Sequence, residues 1–433
     1  MVQFEKISPP NGDRVTISNG VLNVPDNPII TYMNGDGIGP DIMDAVRPTV
    51  DAAVHKAFNG VKKISWFKTY AGDEARAFYH PEITDDQIGE LPIDMQRELY
   101  LPKDTIDAIN HYLISLKGPL TTPIGKGFRS LNVGIRQILD LYACLRPVQY
   151  FEGVPSRIKY PEEVNFHIFR ENSEDVYSGI EFEYGTSEQE KIYNFLTDEM
   201  GKTLRADSGI GIKPISITGT KRLVRASIKY AIEHNLPSIT LVHKGNIQKF
   251  TEGRFKDWGY EVAIDEFREY IVTEDELWAD YEGQMPEGKI LIKDRIADII
   301  FQHMLLRSSE FSVLTTMNLN GDYISDAAAA LVGGVGMAPG ANINYDTGVI
   351  VAEATHGTAP KYTGMNKVNP SSVLLSAAIM LQYMGWHEAS ELIHKGIKGA
   401  IKSKEVTYDL ARELDGVIPI STSDFGKAVV KHM

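Results

Sequence analysis

Cysteine is almost absent from the sequence, since Cys144 is the single one among 433 residues. One thiol cannot form an intrachain disulfide, which excludes a disulfide-stapled secreted domain and favours a reducing compartment. Cys144 stands in the apolar run from Leu141 to Leu145. We therefore expect a buried structural thiol rather than a nucleophile.

An excess of positive charge is also missing. The 44 Lys and Arg residues are outnumbered by 58 Asp and Glu residues, and the formal net charge is -14 at pH 7. This balance argues against nucleic acid or an anionic membrane as the main partner. A small polyanion remains a possible ligand where basic residues are concentrated locally.

No stretch has the properties of a signal peptide or a membrane span. Residues Met1 to Lys6 lack a basic start and an apolar core. The longest apolar stretch, Ala327 to Ala341, contains Pro339 and several glycines and is too short for a bilayer. We therefore expect a cytoplasmic protein.

The length of the chain predicts two compact units, because 433 residues exceed what one hydrophobic core usually serves. An apolar run from Pro28 to Met33, a glycine turn and a helical pattern from Asp41 follow one another, which is the order of an α/β unit. The turn Gly35–Pro40 lacks the GxGxxG spacing, which excludes a standard dinucleotide fingerprint. The acidic stretch from His80 to Leu101 is interpreted as a surface excursion or a helix pair.

Two carboxylates in the stretch from Asn318 to Asp326 can hold one cation. If the segment after Gly321 is helical, Asp322 and Asp326 project from the same face, where their charges repel. Hard oxygen ligands suit Mg²⁺ or Mn²⁺ better than Zn²⁺. The alternative is a solvated helix face that carries two acids.

Arginines recur at predicted element ends between residues 130 and 170. Ser130 is a candidate N-cap, and apolar residues up to Leu145 recur at helical spacing after it. Asn132 and Arg136 share a face of this helix near its N-terminus, and Arg146 and Arg170 follow. A guanidinium grips a carboxylate with two bonds, so these residues are candidates for a carboxylate clamp. Ordinary surface arginines are the alternative.

A lysine stands where open α/β sheets bind ligands. The predicted strand from Ser238 to Val242 places Lys244 at its carboxyl end. A second acidic pair, Asp294 and Asp298, is also four residues apart, and the spacing does not say which acid faces a metal. We expect Arg295 to neutralise one of the two.

Two C-terminal features suit a phosphorylated ligand. The loop from Thr355 to Gly364 combines small residues, hydroxyls, a histidine and a lysine, which lets a diphosphate approach the backbone. Tyr408 and Arg412 share a helix face and could cup a phosphate, or could be a surface stack.

Seven motifs in one order resemble the β-decarboxylating dehydrogenase family, and within it the NADP-dependent isocitrate dehydrogenases of the homodimeric bacterial and archaeal type. The resemblance extends from about Gly35 to the C-terminus. The motifs are Gly35–Pro40, Lys117–Pro123, Arg129–Asn132, Phe169–Asn172, His243–Asn246, Asn320–Asp326 and His356–Tyr362.

The resemblance implies an α/β fold that is not a Rossmann domain, in a homodimer whose sites are shared between subunits. It comprises a large α/β domain on the cofactor side, a small α/β domain with substrate, metal and dimer contacts, and an intersubunit clasp. The implied ranges are 1–141 and 335–433 for the large domain, 142–174 and 218–334 for the small domain, and 175–217 for the clasp.

The resemblance also implies the residues that hold substrate and metal. Isocitrate would be bound by Ser130, Asn132, Arg136, Arg146 and Arg170. Mg²⁺ or Mn²⁺ would be bound by Asp322, Asp326 and Asp298 of the partner subunit. The 2-hydroxyl would lose its proton to a base system that contains Lys244 of the partner subunit and Asp298 of the partner subunit. Tyr177 would protonate the enol left after CO₂ loss.

The cofactor implied is NADP, because two cations and two phenols converge where only NADP carries a phosphate. The phosphate contacts would be Lys361, Tyr362, Tyr408 and Arg412, with Arg307 adding charge across the dimer. The rest of the dinucleotide would lie along Thr121, Thr122, His356, Gly357, Thr358, Ala359, Pro360 and Asn369. The alternatives are 3-isopropylmalate or homoisocitrate dehydrogenase, and a non-enzymatic metal- or anion-binding protein.

Overall fold

The fold is described from a computed structural model, which describes residues 2–121 and 130–433. Strands and helices alternate along most of the chain, as the α/β prediction requires. The strands are β1 (Thr16–Ser18), β2 (Val21–Asn23), β3 (Ile29–Met33), β4 (Ser65–Lys68), β5 (Ile114–Lys117), β6 (Ala143–Gln149), β7 (Asn165–Glu171), β8 (Glu181–Phe182), β9 (Ile210–Gly211), β10 (Ser238–His243), β11 (Ile271–Thr273), β12 (Ile290–Ile296), β13 (Val313–Thr316), β14 (Pro339–Asn344) and β15 (Val349–Ala354).

The helices alternate with these strands. They are α1 (Gly39–Ala57), α2 (Asp73–Tyr79), α3 (Asp85–Ile88), α4 (Ile93–Tyr100), α5 (Lys103–Tyr112), α6 (Leu131–Ile138), α7 (Ser187–Asn194), α8 (Ile217–Glu233), α9 (Glu252–Phe267), α10 (Glu274–Tyr281), α11 (Ala297–Leu306), α12 (Asn318–Leu331), α13 (Ser371–Tyr383), α14 (His387–Lys402), α15 (Tyr408–Ala411) and α16 (Thr422–His432). The predicted helix pair between His80 and Leu101 is confirmed by α3 and α4.

The chain divides into two compact units, which confirms the number predicted from its length. The first unit comprises residues 1–169, 301–314 and 324–433, and the second comprises 170–300 and 315–323. The segment predicted as a clasp, 175–217, lies within the second unit and contains the antiparallel pair β8 and β9. The domain ranges implied by the resemblance remain a prediction.

The sheet of the first unit places four parallel strands side by side. Its order is β7-β6-β14-β15-β5-β3-β4. Strands β15, β5, β3 and β4 run parallel, whereas β14 is antiparallel to both β6 and β15. The carboxyl ends of β15, β5 and β3 therefore share one edge, which is where parallel sheets bind ligands.

Helix α13 fills the core of the first unit. It contacts β14, β15 and β5, and its residues Ser371 to Leu381 are buried on every face. A helix with apolar or small residues on every face is typical of a protein core, because it has no polar face that must contact water.

The second unit has a parallel sheet of order β11-β12-β10. Strand β10 is buried along its whole length, and helices α8 and α9 pack on it. Because β10 and β12 are parallel neighbours with His243 opposite Ile296, the residues that follow these two strands meet at one edge. Lys244 and Asp298 are among them.

The prediction that apolar helical spacing continues to Leu145 was wrong. Helix α6 ends at Ile138, and Tyr142 and Leu145 belong to the turn before β6 and to β6 itself. The run from Leu141 to Leu145 is buried, so its apolar character reflects a buried strand, which periodicity does not distinguish from a helix. Cys144 lies in this strand as a buried thiol, as predicted.

Within the described residues, no helix is both long enough and apolar enough to cross a membrane.

Candidate active site

Asp322 is bound by two side chains of the second unit. Arg170 Nη1 donates to Asp322 Oδ1 at 2.5 Å, and the Tyr177 hydroxyl donates to Asp322 Oδ2 at 2.8 Å. Arg170 is buried at the end of β7, and Tyr177 lies in the 3₁₀ turn Asp175–Ser178. Burial and the hydrogen bond to Asp322 both raise the pKa of Tyr177. At neutral pH this phenol therefore keeps its proton.

Helix α12 begins at Asn318, so the segment after Gly321 is helical, which is the condition for Asp322 and Asp326 to project from the same face. Position 321 lies inside the helix and requires glycine, because a Cβ there would lie 2.6 Å from Arg170 Cγ. Asn318 Oδ1 accepts a hydrogen bond from Arg170 Nε at 2.9 Å. The glycine and the asparagine thus let the guanidinium reach Asp322.

In the first unit, Asp326 and Ser325 face Arg146. The nitrogen Arg146 Nη1 lies 3.5 Å from Asp326 Oδ1 and donates to the Ser325 hydroxyl. Arg146 is buried in β6, whereas the Asp326 side chain is 60% exposed. Two predicted substrate arginines, Arg146 and Arg170, therefore each bind a predicted metal ligand.

Lys244 and Asp298 form an ion pair in the second unit. The pair follows from topology, since Lys244 comes directly after β10 and Asp298 is the second residue of α11, which follows β12. The hydrogen bond from Lys244 lowers the pKa of Asp298.

The predicted metal ligands fit a hard divalent cation by their donor type. Asp322 and Asp326 are one turn apart on α12 and offer oxygen atoms only, which suits Mg²⁺ or Mn²⁺. Within residues 2–121 and 130–433, however, no group of three or more His, Cys, Asp and Glu side chains could hold an ion. Asp298, Asp322 and Asp326 are each paired with a lysine or arginine instead.

Asp294 takes a different place from Asp298. It lies within β12, whereas Asp298 lies in α11, so the two acids do not share one helix despite their four-residue spacing. The Asp294 carboxylate accepts hydrogen bonds from Tyr260 and pairs with His243, each at 2.9 Å. Arg295 instead grips Glu274 with two bonds of 2.7 and 2.8 Å.

A buried carboxylate, Glu353 of β15, holds the predicted substrate residue Arg136. Glu353 accepts from Arg136 Nη2 at 2.7 Å, from Lys117 Nζ at 2.6 Å and from the Asn342 amide at 2.6 Å. Glu353 and Lys117 are direct neighbours across the parallel pair β15 and β5. The two cations hold the pKa of Glu353 below its usual range, although burial opposes them.

We expect Glu353→Gln to destabilise the protein by roughly 3–5 kcal/mol, because the neutral amide leaves two buried cations without a charge partner. The pKa of Glu353 is lower in the folded state than in the unfolded state. Its contribution to the free energy of unfolding is therefore present above the pKa of the unfolded state and is lost as the pH falls toward the pKa of the folded state. Urea unfolding at pH 7 and at decreasing pH measures both effects. As a control, Glu413→Gln breaks the exposed Arg157 pair and should cost at most about 1 kcal/mol. Equal effects of the two changes would contradict this interpretation.

Ser130 and Asn132 lie at the start of α6, close to Arg136 in sequence. Ser130 is the N-cap residue, as predicted, but its side chain makes no capping bond. Both residues are half-buried. Within the described part of the chain, the buried Asn132 Oδ1 accepts no hydrogen bond. Asn132 thus offers an acceptor that has no partner among the described residues.

Loops at the carboxyl ends of β3, β5 and β15 pack against one another in the first unit. The Asp36 carboxylate accepts from the backbone N–H groups of Asp73 and Thr121, each at 2.8 Å, so this acid is structural rather than a ligand contact. The Ile38 N–H donates to the Thr358 carbonyl at 3.0 Å, and the Thr121 and Thr358 hydroxyl oxygens are 3.3 Å apart. A Cβ on Gly37 would lie 2.2 Å from that carbonyl, so the loops require glycine there.

His356 is neutral and fixed beside this loop cluster. Burial lowers its pKa, and Nδ1 lies 3.0 Å from the Gly357 carbonyl, so Nδ1 carries the proton and Nε2 is an acceptor. Gly357 is exposed, Ala359 has a φ of 38°, and Pro360 begins a 3₁₀ turn that ends at Tyr362. This is the conformation of the loop predicted to carry the dinucleotide.

Two phenols and two ammonium groups gather at the end of this loop. The Tyr362 and Tyr408 ring centroids are 5.5 Å apart, and Lys361 Nζ is 4.8 Å from the Tyr362 centroid. The hydrogen bond between the phenols, with Lys361 nearby, lowers the pKa of Tyr362, whereas burial and the same bond raise that of Tyr408 to about 12. Lys367, which the sequence did not single out, is the second ammonium.

The remaining predicted cofactor residues have separate surroundings. Asn369 is buried and donates to Asp409 at 2.9 Å. Arg412 and Arg307 are exposed and lie 3.8 Å from Glu413 and Glu310. Thr122 lies outside the described residues.

A buried network that sequence reasoning missed supports the second unit's catalytic candidates. Glu252 accepts from the Lys244 N–H at 2.5 Å and from the Asn320 amide at 2.9 Å. Lys213 pairs with Glu252 and lies 3.4 Å from buried Asp175, which accepts the Leu319 N–H at 2.9 Å. The network thus ties Lys244 and the start of α12 to the turn that carries Tyr177. No local motif marks these residues, because they are distant in sequence.

The sequence of this chain matches the family described as isocitrate/isopropylmalate dehydrogenase over residues 29–429. The chain therefore belongs to this family, and the predicted resemblance and α/β fold class are confirmed.

Among relatives, "Isocitrate dehydrogenase [NADP]" of Archaeoglobus fulgidus is 54% identical over 433 residues, covering 100% of this chain and 99% of that protein. The protein of the same name from Staphylococcus epidermidis is 53% identical, covering 98% of this chain and 100% of its own. The crystal structure of isocitrate dehydrogenase from Methylococcus capsulatus is similar with a TM-score of 0.73 and 32% identity, covering 94% of this chain and 99% of that one.

Proposed function

We propose that this chain catalyses the oxidative decarboxylation of isocitrate to 2-oxoglutarate and CO₂ with reduction of NADP⁺, as a cytoplasmic enzyme of the tricarboxylic acid cycle. The observation that carries the proposal is the cluster at Asp322, where a buried arginine and a proton-bearing tyrosine reach one carboxylate. The full-length relatives named isocitrate dehydrogenase [NADP] support the same reaction.

Binding of a tricarboxylate is proposed for cationic and polar side chains of α6 with its N-cap, of β6 and of β7. A guanidinium holds a carboxylate with two parallel bonds, so Arg136, Arg146 and Arg170 suit the substrate's acid groups. Ser130 and Asn132 would meet the γ-carboxylate, which 3-isopropylmalate lacks. The Asn132 oxygen, which has no hydrogen-bond partner among residues 2–121 and 130–433, supports a polar ligand at this position.

Proton movement is assigned to two sites on the second unit. Lys244 and Asp298 would accept the proton of the substrate's 2-hydroxyl, and their ion pair supports a joint role. Tyr177 would donate a proton to the enol after CO₂ is lost, since its raised pKa keeps the phenol protonated at neutral pH. When bound, a Mg²⁺ or Mn²⁺ ion held by Asp298, Asp322 and Asp326 would supply Lewis acidity, and NADP⁺ would supply the hydride acceptor.

The 2′-phosphate of NADP is assigned to Lys361, Tyr362, Tyr408 and Arg412, and the dinucleotide to the loop from His356 to Tyr362. Grouped cations and phenol donors suit a phosphate monoester, which only NADP carries at this position. The close packing of Gly37 against Thr358 supports a loop shaped for backbone contacts.

A homodimer with shared sites is part of the proposal. Leu305 and Leu306 of α11 are exposed by 51% and 75%, and Ile247 and Phe250 beside Lys244 by 70% and 84%. Such exposed apolar side chains are typical of an interface. Asp298 lies on the same helix as Leu305 and Leu306. Lys244 precedes Ile247 and Phe250 by three and six residues. This placement supports delivery of Asp298 and Lys244 to the site of the partner subunit.

The proposal predicts that NADPH forms when isocitrate, NADP⁺ and Mg²⁺ are added together. The absorbance of NADPH measures this reaction. EDTA should abolish the activity and excess Mg²⁺ should restore it, because the aspartates offer oxygen ligands to a divalent ion. The same assay with 3-isopropylmalate and with homoisocitrate tests the alternatives. Turnover of either compound in preference to isocitrate would overturn the substrate assignment, and activity that EDTA leaves unchanged would overturn the metal assignment.

A further inference from the structure

Lys367 reaches the same two phenols as the residues assigned to the 2′-phosphate. Its ammonium nitrogen lies 4.7 Å from the Tyr408 ring centroid and 5.8 Å from the Tyr362 centroid. Lys361 Nζ is 4.8 Å from the Tyr362 centroid. Two ammonium groups therefore lie near the ring of Tyr362, although their like charges repel.

The backbone that carries Lys367 is fixed on both sides. Asn366 has a φ of 48°, its N–H donates to Asp41 at 3.0 Å, and its side chain bonds Ser423 through both the amide and the carbonyl, each at 2.9 Å. On the other side, Val368 is buried and its carbonyl accepts from the Thr422 hydroxyl at 2.6 Å. The backbone at Lys367 is thus held in place, and its side chain is exposed.

The acid beside the cluster in sequence, Asp409, is bound by neighbouring polar groups. Asp409 is the adjacent acid, and its oxygens accept from the Asn369 amide at 2.9 Å and from the Thr407 hydroxyl at 2.5 Å. Within residues 2–121 and 130–433, neither Lys361 nor Lys367 forms an ion pair with a carboxylate. An external anion would offset their repulsion, and a phosphate monoester suits donors on several sides.

We propose that Lys367 is a further specificity-determining residue, whose ammonium contacts the 2′-phosphate of NADP together with Lys361, Tyr362 and Tyr408. This inference rests on the proposed function, since it names one more contact of the proposed cofactor. Lys367 would favour NADP over NAD and would leave the parts common to both dinucleotides unaffected.

Lys367→Met keeps most of the apolar stem and removes the charge. Binding of adenosine 2′,5′-bisphosphate, measured by calorimetry, should weaken roughly tenfold or more, which is typical for one charge-assisted contact. Binding of adenosine 5′-monophosphate, which lacks the 2′-phosphate, should not change. Lys367→Arg should retain most of the preference because it keeps the charge.

Lys62→Met is the matched control. Lys62 also lies over two aromatic rings, 4.3 Å from the Phe58 centroid and 5.2 Å from the Trp386 centroid, so it tests for loss of a cation–π contact and of one charge. It should leave both nucleotide affinities unchanged. If the unmodified protein prefers the bisphosphate but Lys367→Met binds it equally well, the inference about Lys367 is overturned and the proposed function stands. If the unmodified protein shows no preference for the bisphosphate, the NADP assignment itself fails.

Discussion

A Tyr177→Phe variant is expected to lose roughly 10²–10⁴-fold in kcat, the usual contribution of one general acid. Phenylalanine keeps the ring that lies 5.0 Å from the Arg170 guanidinium but removes the hydroxyl that donates to Asp322. In our proposal this hydroxyl acts after the oxidation. Steady-state turnover with isocitrate and NADP⁺ should therefore fall more than dinucleotide reduction in the first turnover, which rapid mixing measures.

Tyr184→Phe provides the control for this experiment. Tyr184 lies in the same segment between residues 175 and 217 but is 59% exposed, so its hydroxyl should be dispensable. Circular dichroism should show equal folding of both variants. Full turnover by a folded Tyr177→Phe protein would remove the tyrosine from the proposed chemistry.

Much of the candidate site was predictable because its residues follow recognisable strands and helices. Lys244 was placed by the apolar strand before it, and its position after β10 is confirmed. The acidic pair on α12 was placed by its four-residue spacing, and one helix carries both residues. Local periodicity is sufficient in such cases because the ligand-binding end of an element lies beside its apolar run.

Other features depended on contacts that no local pattern records. Position 321 of α12 requires glycine, because the stem of Arg170, distant in sequence, occupies the space of a side chain. Asp294 and Asp298 have helical spacing in the sequence, yet the strand β12 ends between them. The four-residue spacing records neither the contact at Gly321 nor the end of β12.

The sequence alone can indicate a buried charge, but it cannot identify the partners of that charge. Glu353 is an acid within the apolar run Val349–Ala354, which is a signal that it has a buried partner. Its two cations come from β5 and α6, more than 200 residues earlier in the chain. Only the parallel register of β15 and β5 brings Lys117 opposite Glu353. The contacts from Lys213 to Glu252 and from Glu252 to Lys244 likewise depend on the fold, so the sequence does not indicate them.

The double change Lys361→Asp and Tyr362→Ile is expected to lower the ratio of kcat/KM for NADP to that for NAD by at least about a hundredfold. Each charge-assisted phosphate contact is typically worth roughly 1.5–3 kcal/mol, or about tenfold or more, and the new carboxylate adds repulsion of the phosphate. The aspartate should also accept a hydrogen bond from a ribose hydroxyl, which favours NAD. Lys398→Asp, a charge reversal at an exposed position of α14, controls for net charge and should leave the ratio unchanged. The two ratios are measured with saturating isocitrate and Mg²⁺, and a double variant that keeps the original ratio would show that the cluster around Tyr362 and Tyr408 does not contact the 2′-phosphate.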